Sequence, residues 1–399
     1  MKKALVVLLA LVLAGSLVFA QEEAGITFGS WGRALWNVAG GTNDDPVTDV
    51  HQSWGGDAPR TSLNVRGDSD NVSYALDIFG NGSTISVGDN AYIEVRPGDW
   101  AALTLGKMDK NETRGDACFG LWNWDRIGVL KAAYADQEGW IFGDLSDADG
   151  FGLSARLYPI EGLTIGAALP LGSGEGNAAT LSDAYTKAAN YFVMYNIDGI
   201  GKIKVGYDTV ADGVERTDLS EKAYGVINAA FDLVAVENFY FAVGGFIPTA
   251  TICKKPGADW TVEDGFNSLE QDIRVNAYAR YSMDPFAFHV LFGTKINTFD
   301  VGDGKEDGAF GFSVGAGIDW NVLDNVPVFL DVRYANGVYM AHDSSDNNDC
   351  FTVAAGVSKK WSNGELGIAF ECATNGYGRY THDADEFVWT IPVKFEYSF

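Results

Sequence analysis

Charged residues that recur at every second position are the part of this sequence best placed to do chemistry. In Ile273–Tyr281, Arg274, Asn276, Tyr278 and Arg280 alternate with Ile273, Val275, Ala277, Ala279 and Tyr281. In Val328–Tyr334, Phe329, Asp331 and Arg333 take one set of alternate positions. Successive side chains of a strand point to opposite faces, so each stretch has an apolar face and a face bearing Arg and Asp. In a packed sandwich those charges would be buried at a cost. Against water they are natural. The chemistry this implies is that of a wetted, charged wall whose field acts on passing ions and dipoles.

Catalytic and metal chemistry finds little support. The histidines are His51, His289, His342 and His382. Three fall in expected loops, and His289 points inward by strand parity. No Gly-x-Ser-x-Gly or comparable nucleophile signature accompanies them. Gly172-Ser173-Gly174-Glu175-Gly176 lies in a polar loop without the strand-loop-helix setting of a phosphate cradle. Asp343 to Asp349 (DSSDNND) is rich in oxygen ligands but lacks the Gly and distal Glu of an EF-hand, which leaves a weak surface cation site as its functional reading. Cys118, Cys253, Cys350 and Cys372 fit no zinc spacing. Cys118 and Cys253 both fall in long loops and could pair. Cys350 reads as inward and Cys372 as outward, which argues against that pair. The expectation is a non-enzyme without cofactor or metal.

The elements that hold such faces are strands separated by turn clusters. Short turns are expected at 68–71, 96–99, 159–162, 198–201, 234–237, 283–285, 323–325 and 361–364, with longer polar loops between them. Adding a first strand near Gly25–Val38 and a last near Glu386–Phe399 gives eighteen, or sixteen if one hairpin is loop. Strand 222–232 is ambiguous. In the last strand Phe387, Trp389, Ile391, Val393, Phe395, Tyr397 and Phe399 share a face, and Val388, Thr390, Pro392, Lys394, Glu396 and Ser398 share the other. Pro392 there costs one ladder hydrogen bond. Residues 1–20 read as a secretory signal: Lys2 and Lys3, an apolar run from Ala4 to Val18, and Val18-Phe19-Ala20 before the cleavage site. An exported chain that crosses a membrane without helices must close into a barrel, because only closure satisfies every backbone group in lipid. The expected fold is all-β: a closed antiparallel transmembrane barrel over residues 21–399 as one domain.

Composition agrees. Hydropathy is near neutral, Gly numbers 48 and Pro 10, and aromatics make up 13 % of 399 residues. The formal net charge is −26, and losing Lys2 and Lys3 with the signal would make it −28. So acidic a chain is a poor nucleic-acid binder. Most of the acid lies in expected loops, where it either solvates the surface, binds divalent cations, or favours cations entering a pore.

The stretch Asn90 to Asp109 (NAYIEVRPGDWAALTLGKMD) resembles the strands that precede the constriction loop of trimeric Gram-negative porins. Thr104-Leu105-Gly106-Lys107 stands where that family usually has an Arg-ended motif, so Lys107 is a departure. Thr61 to Gly80 resembles the family's second hairpin, Gly25–Asn37 its first strand, and the closing strand its C-terminal assembly signal through Phe395, Tyr397 and Phe399. The resemblance implies an outer-membrane channel for small hydrophilic solutes and ions, insertion by the barrel-assembly machinery, contact with outer-membrane lipid and a homotrimer. It also implies that residues 110–149 fold into the barrel. That stretch carries Phe119, Leu121, Trp122, Trp124, Ile127 and Trp140, too apolar for a loop in water. Two extra strands, near 128–135 and 139–145, are the other reading. An inserted loop would place Asp116, Asp125 and Asp136 opposite Arg33, Arg66, Arg96, Arg156, Lys202, Lys204, Arg274, Arg280 and Arg333. The alternative function is a surface adhesin or antigen whose barrel only anchors its loops.

Overall fold

The structure is a computed structural model. It describes residues 25–42, 49–51, 59–107, 126–127, 152–170, 189–208, 226–248, 272–297, 310–337, 349–374 and 387–399. The strands are β1 (Gly25–Gly41), β2 (Asp49–His51), β3 (Arg60–Asp68), β4 (Val72–Asn81), β5 (Thr84–Gly98) and β6 (Ala101–Lys107). They continue with β7 (Gly152–Ile160), β8 (Leu163–Pro170), β9 (Asn190–Ile197), β10 (Gly201–Asp208), β11 (Val226–Leu233), β12 (Phe239–Pro248) and β13 (Asp272–Met283). The last are β14 (Phe286–Asn297), β15 (Phe310–Leu323), β16 (Val326–Ala335), β17 (Cys350–Trp361), β18 (Gly364–Ala373) and β19 (Val388–Ser398).

Each strand pairs antiparallel with its neighbour, and β19 returns to pair with β1. The short β2 extends the row begun by β3, since both pair with β1, at Leu35–Asn37 and Gly25–Arg33 respectively. The wall therefore has the eighteen staves that the turn spacing implies. Strand β11 resolves the ambiguous 222–232 stretch. The seam is fastened to the final residue: Ser30 N–H donates to the Phe399 carbonyl at 3.1 Å, and Phe399 N–H donates to the Ser30 carbonyl at 2.7 Å. Beside it the Tyr397 ring covers Gly32, whose missing Cβ would lie 2.3 Å from Tyr397 Cε1. Between β18 and β19 the paired positions lapse from Ile368↔Val393 to Glu371↔Thr390, around Pro392, which has no N–H to give.

The short turns lie at the expected places, all at the end that carries both termini of the barrel. One opposite connection differs from expectation. The β4–β5 link is a tight turn at Gly82-Ser83 rather than a longer loop, with Gly82 at φ 57°, a conformation open to glycine because it has no Cβ.

Alternation decides the two faces. Leu330 (47 %), Phe395 (47 %) and Val275 (40 %) are exposed on the outside, whereas their strand neighbours Asp331, Lys394 and Asn276 are buried inside. An outer face on which large apolar side chains stand bare is what lipid solvates and water does not. Among the described residues no helix is long and apolar enough to cross a membrane.

Candidate functional site: the inner wall

The inner face is charged, and its charges are paired. On the β3–β5 wall, Arg66 meets Asp77 at 2.6 Å. Asp77 also accepts from Asn64 Nδ2 at 2.6 Å, from Asn90 Nδ2 at 2.8 Å and from the Asn90 backbone N–H at 3.1 Å. On β5–β7, Glu94 accepts from Thr104 Oγ1 at 2.8 Å and from Arg156 at 3.3 Å. Lys204 stands 3.7 Å from Asp232, and Lys394 stands 2.5 Å from Glu365. Pairing is what makes such burial tolerable: a carboxylate taken from water without a partner would cost several kcal/mol.

Height along the wall separates wet from covered. At mid-height the inward side chains are buried all round, including Phe192, Ala242, Asn276 and Thr104. Near the short turns Arg66 and Lys202 are half-buried and Arg280 is exposed. Among the described residues the wetted part of the wall thus lies towards the short-turn end, where Arg66 stays half-exposed even though it is paired with Asp77.

The most connected cluster lies on β13–β16. Tyr278 Oη is 2.7 Å from His289 Nδ1, and His289 Nε2 is 2.9 Å from Asp319 Oδ2. Arg126, from the long β6–β7 connection, donates through Nη2 to Asp319 at 2.6 Å. It also donates to Asp331 through Nε at 2.8 Å and Nη2 at 3.2 Å. This is the planar fork that a guanidinium offers a carboxylate. The same guanidinium stands 4.6 Å from the centre of the Phe329 ring. The next residue, Ile127, is 1 % exposed and packs with Leu35, Phe329, Ala354 and Ala369.

The residues singled out from sequence divide as follows. Arg33 is buried and 3.6 Å from Glu396. Arg66 and Arg156 stand on the wall with their partners Asp77 and Glu94. Arg333 is buried, and Arg280 is exposed near the short turns. Arg96 binds Asp68 and, at 2.7 Å, the Ser69 carbonyl, at the short-turn rim rather than at mid-height. Arg274 takes its place in β13 opposite Phe246 and Lys295. Asp116, Asp125 and Asp136 lie outside the described residues, as do residues 1–20 and most of 110–149. Cys350 and Cys372 form no disulfide with each other, Cys350 Sγ lies 3.7 Å from Thr352 Oγ1, and Cys118 and Cys253 lie outside the description. No metal-binding cluster occurs among the described residues. Sequence reasoning missed Arg126. Its signal was a single cation set among Trp122, Trp124 and Ile127 in a loop too apolar for water.

No protein-family model matches the chain, and no curated protein matches it. Solved structures do. OccD3 (OpdP) of Pseudomonas aeruginosa aligns over 94% of this chain and 91% of its own, at TM-score 0.51 and 9% identity. OprD of the same organism aligns over 94% and 95%, at 0.51 and 10%. OpdK of that organism, in a structure with vanillate, aligns over 93% and 99%, at 0.50 and 10%. These neighbours are Gram-negative outer-membrane porins. The barrel has a porin-like fold. At such identity the likeness is one of architecture, and the porin-like wall described above is this chain's own.

Proposed function

We propose that the protein is an outer-membrane porin through which small hydrophilic solutes and ions diffuse passively. The observation that carries this reading is a closed barrel of eighteen staves, bare and apolar outside, ion-paired and charged inside. Residues 1–20 direct export. The aromatic face ending in Phe395, Tyr397 and Phe399 is read by the barrel-assembly machinery, and the mature barrel works as a homotrimer. Residues 110–149 narrow the lumen. This is supported by Arg126 and Ile127, which sit against inward side chains of β1 and β15–β18. The field of the flanking charges then orients and selects what passes. Insertion of purified protein into a planar bilayer tests the reading. Stepwise ohmic conductance supports it, and heat-modifiable, folded protein that never conducts refutes it.

A further inference from the structure

The ring order places the anchor of the long connection. Starting from β6 and β7, the strands β15 and β16 lie nine staves on in a ring of eighteen, half-way round. At Arg126 the chain that leaves Lys107 and returns at Gly152 meets this opposite wall, and at Ile127 it packs on β1 and β16–β18, further round towards the seam. We propose that these two residues are a two-pronged plug, and that Asp319, Asp331 and Gly367 form its socket, which fixes the width of the passage. The proposal rests on the channel reading above.

The prongs are chemically distinct and use separate parts of the wall. Arg126 is 5 % exposed and holds two carboxylates, one of them, Asp331, itself 1 % exposed. Such a pair is screened little by salt, and removing one partner leaves the other charge buried. Asp319 is aimed from behind. His289 Nε2 lies 2.9 Å from Asp319 Oδ2 and His289 Nδ1 lies 2.7 Å from Tyr278 Oη, so the ring is held at both nitrogens behind the carboxylate. Ile127 enters where the wall has no side chain: a Cβ on Gly367 would lie 2.1 Å from Ile127 Cδ1. The flanking Leu366 and Ile368 point outward and are exposed. The glycine thus opens a recess on the inner face alone. At this contact a cation on the loop meets acids on the wall, which makes Arg126 a positioning residue that does not itself face the solute.

Both prongs can be tested separately on the full-length protein. Arg126→Gln removes the ionic prong, and Gly367→Leu fills the recess of the apolar prong from the wall side. Each is expected to raise mean single-channel conductance by about twofold or more and to add open-channel noise, since the narrowest cross-section sets the current. Asp331→Asn should raise conductance in the same way but add little on an Arg126→Gln background, a non-additivity that general loss of structure would not give. Heat-modifiable migration establishes that each variant is folded, with Gly367→Ala as the milder substitute if the leucine variant is not. Folded variants with native conductance and noise overturn the plug. A native protein that does not conduct overturns the channel reading instead.

Discussion

Asp77 offers a measure of how much the wall depends on a single carboxylate. It stands at the irregularity between β4 and β5, where the register passes from Leu76↔Ala91 to Ile78↔Val87 and leaves Gly88, Asp89 and Asn90 facing it. The bulged segment has lost its regular ladder partner, and Asp77 supplies an acceptor to the Asn90 N–H. One carboxylate oxygen serves Arg66 and Asn64 and the other serves Asn90 twice. Substituting Asp77→Ala removes both oxygens. Loss of the backbone acceptor costs about 1–3 kcal/mol and each amide contact about 1 kcal/mol. The Arg66 contribution is small, because that side chain is 39% exposed and water takes over. The total is roughly 3–5 kcal/mol. Asp77→Asn keeps one oxygen and should cost about half as much. The assay is reversible urea unfolding in lipid vesicles, followed by tryptophan emission. An alanine variant within about 0.5 kcal/mol of the native protein, or an asparagine variant as damaged as alanine, would refute the reasoning.

Deleting Phe399 removes both backbone hydrogen bonds to Ser30 and one aromatic of the outer face. Signal cleavage should proceed normally while heat-modifiable barrel is lost, and normal insertion would count against an assembly role. Removing residues 116–142 should leave a folded barrel with conductance raised severalfold, and unchanged conductance would place the segment outside the conducting path. Ion preference should depend on salt. Each long connection carries more Asp and Glu than Lys and Arg, whereas the inner wall near the short turns presents Arg66, Lys202 and Arg280. The loops act within a Debye length of about 8–10 Å at physiological salt. Reversal potentials should show a modest cation preference that vanishes near about 1 M salt, and anion preference at every concentration would show that the wall dominates.

Much of the architecture was legible before any coordinates, because a strand's period of two writes its environment into the sequence. Lipid outside forces Phe395, Tyr397 and Phe399 onto one face, and the interior collects Thr390, Lys394 and their like on the other. Turn chemistry marked the short-turn end, where few residues must reverse the chain. The tight turn at Gly82-Ser83 also had a local signal, the cluster Gly80-Asn81-Gly82-Ser83-Thr84, which the expectation of longer loops at that end obscured.

The sequence by itself determined the closed barrel, the face of each assigned strand and the candidate charges, since these follow from local alternation and from the demands of lipid on the backbone. The tertiary structure alone decided which charges meet. Arg126 and Asp331 are 205 residues apart in the chain, and no local pattern links them. Only ring closure sets the angular position of every stave, and hence which wall the crossing chain can reach. Closure likewise set Ile127 against Gly367, whereas Arg66 meets Asp77 within the local β3–β4 hairpin and Arg96 reaches the rim through the short turn it begins.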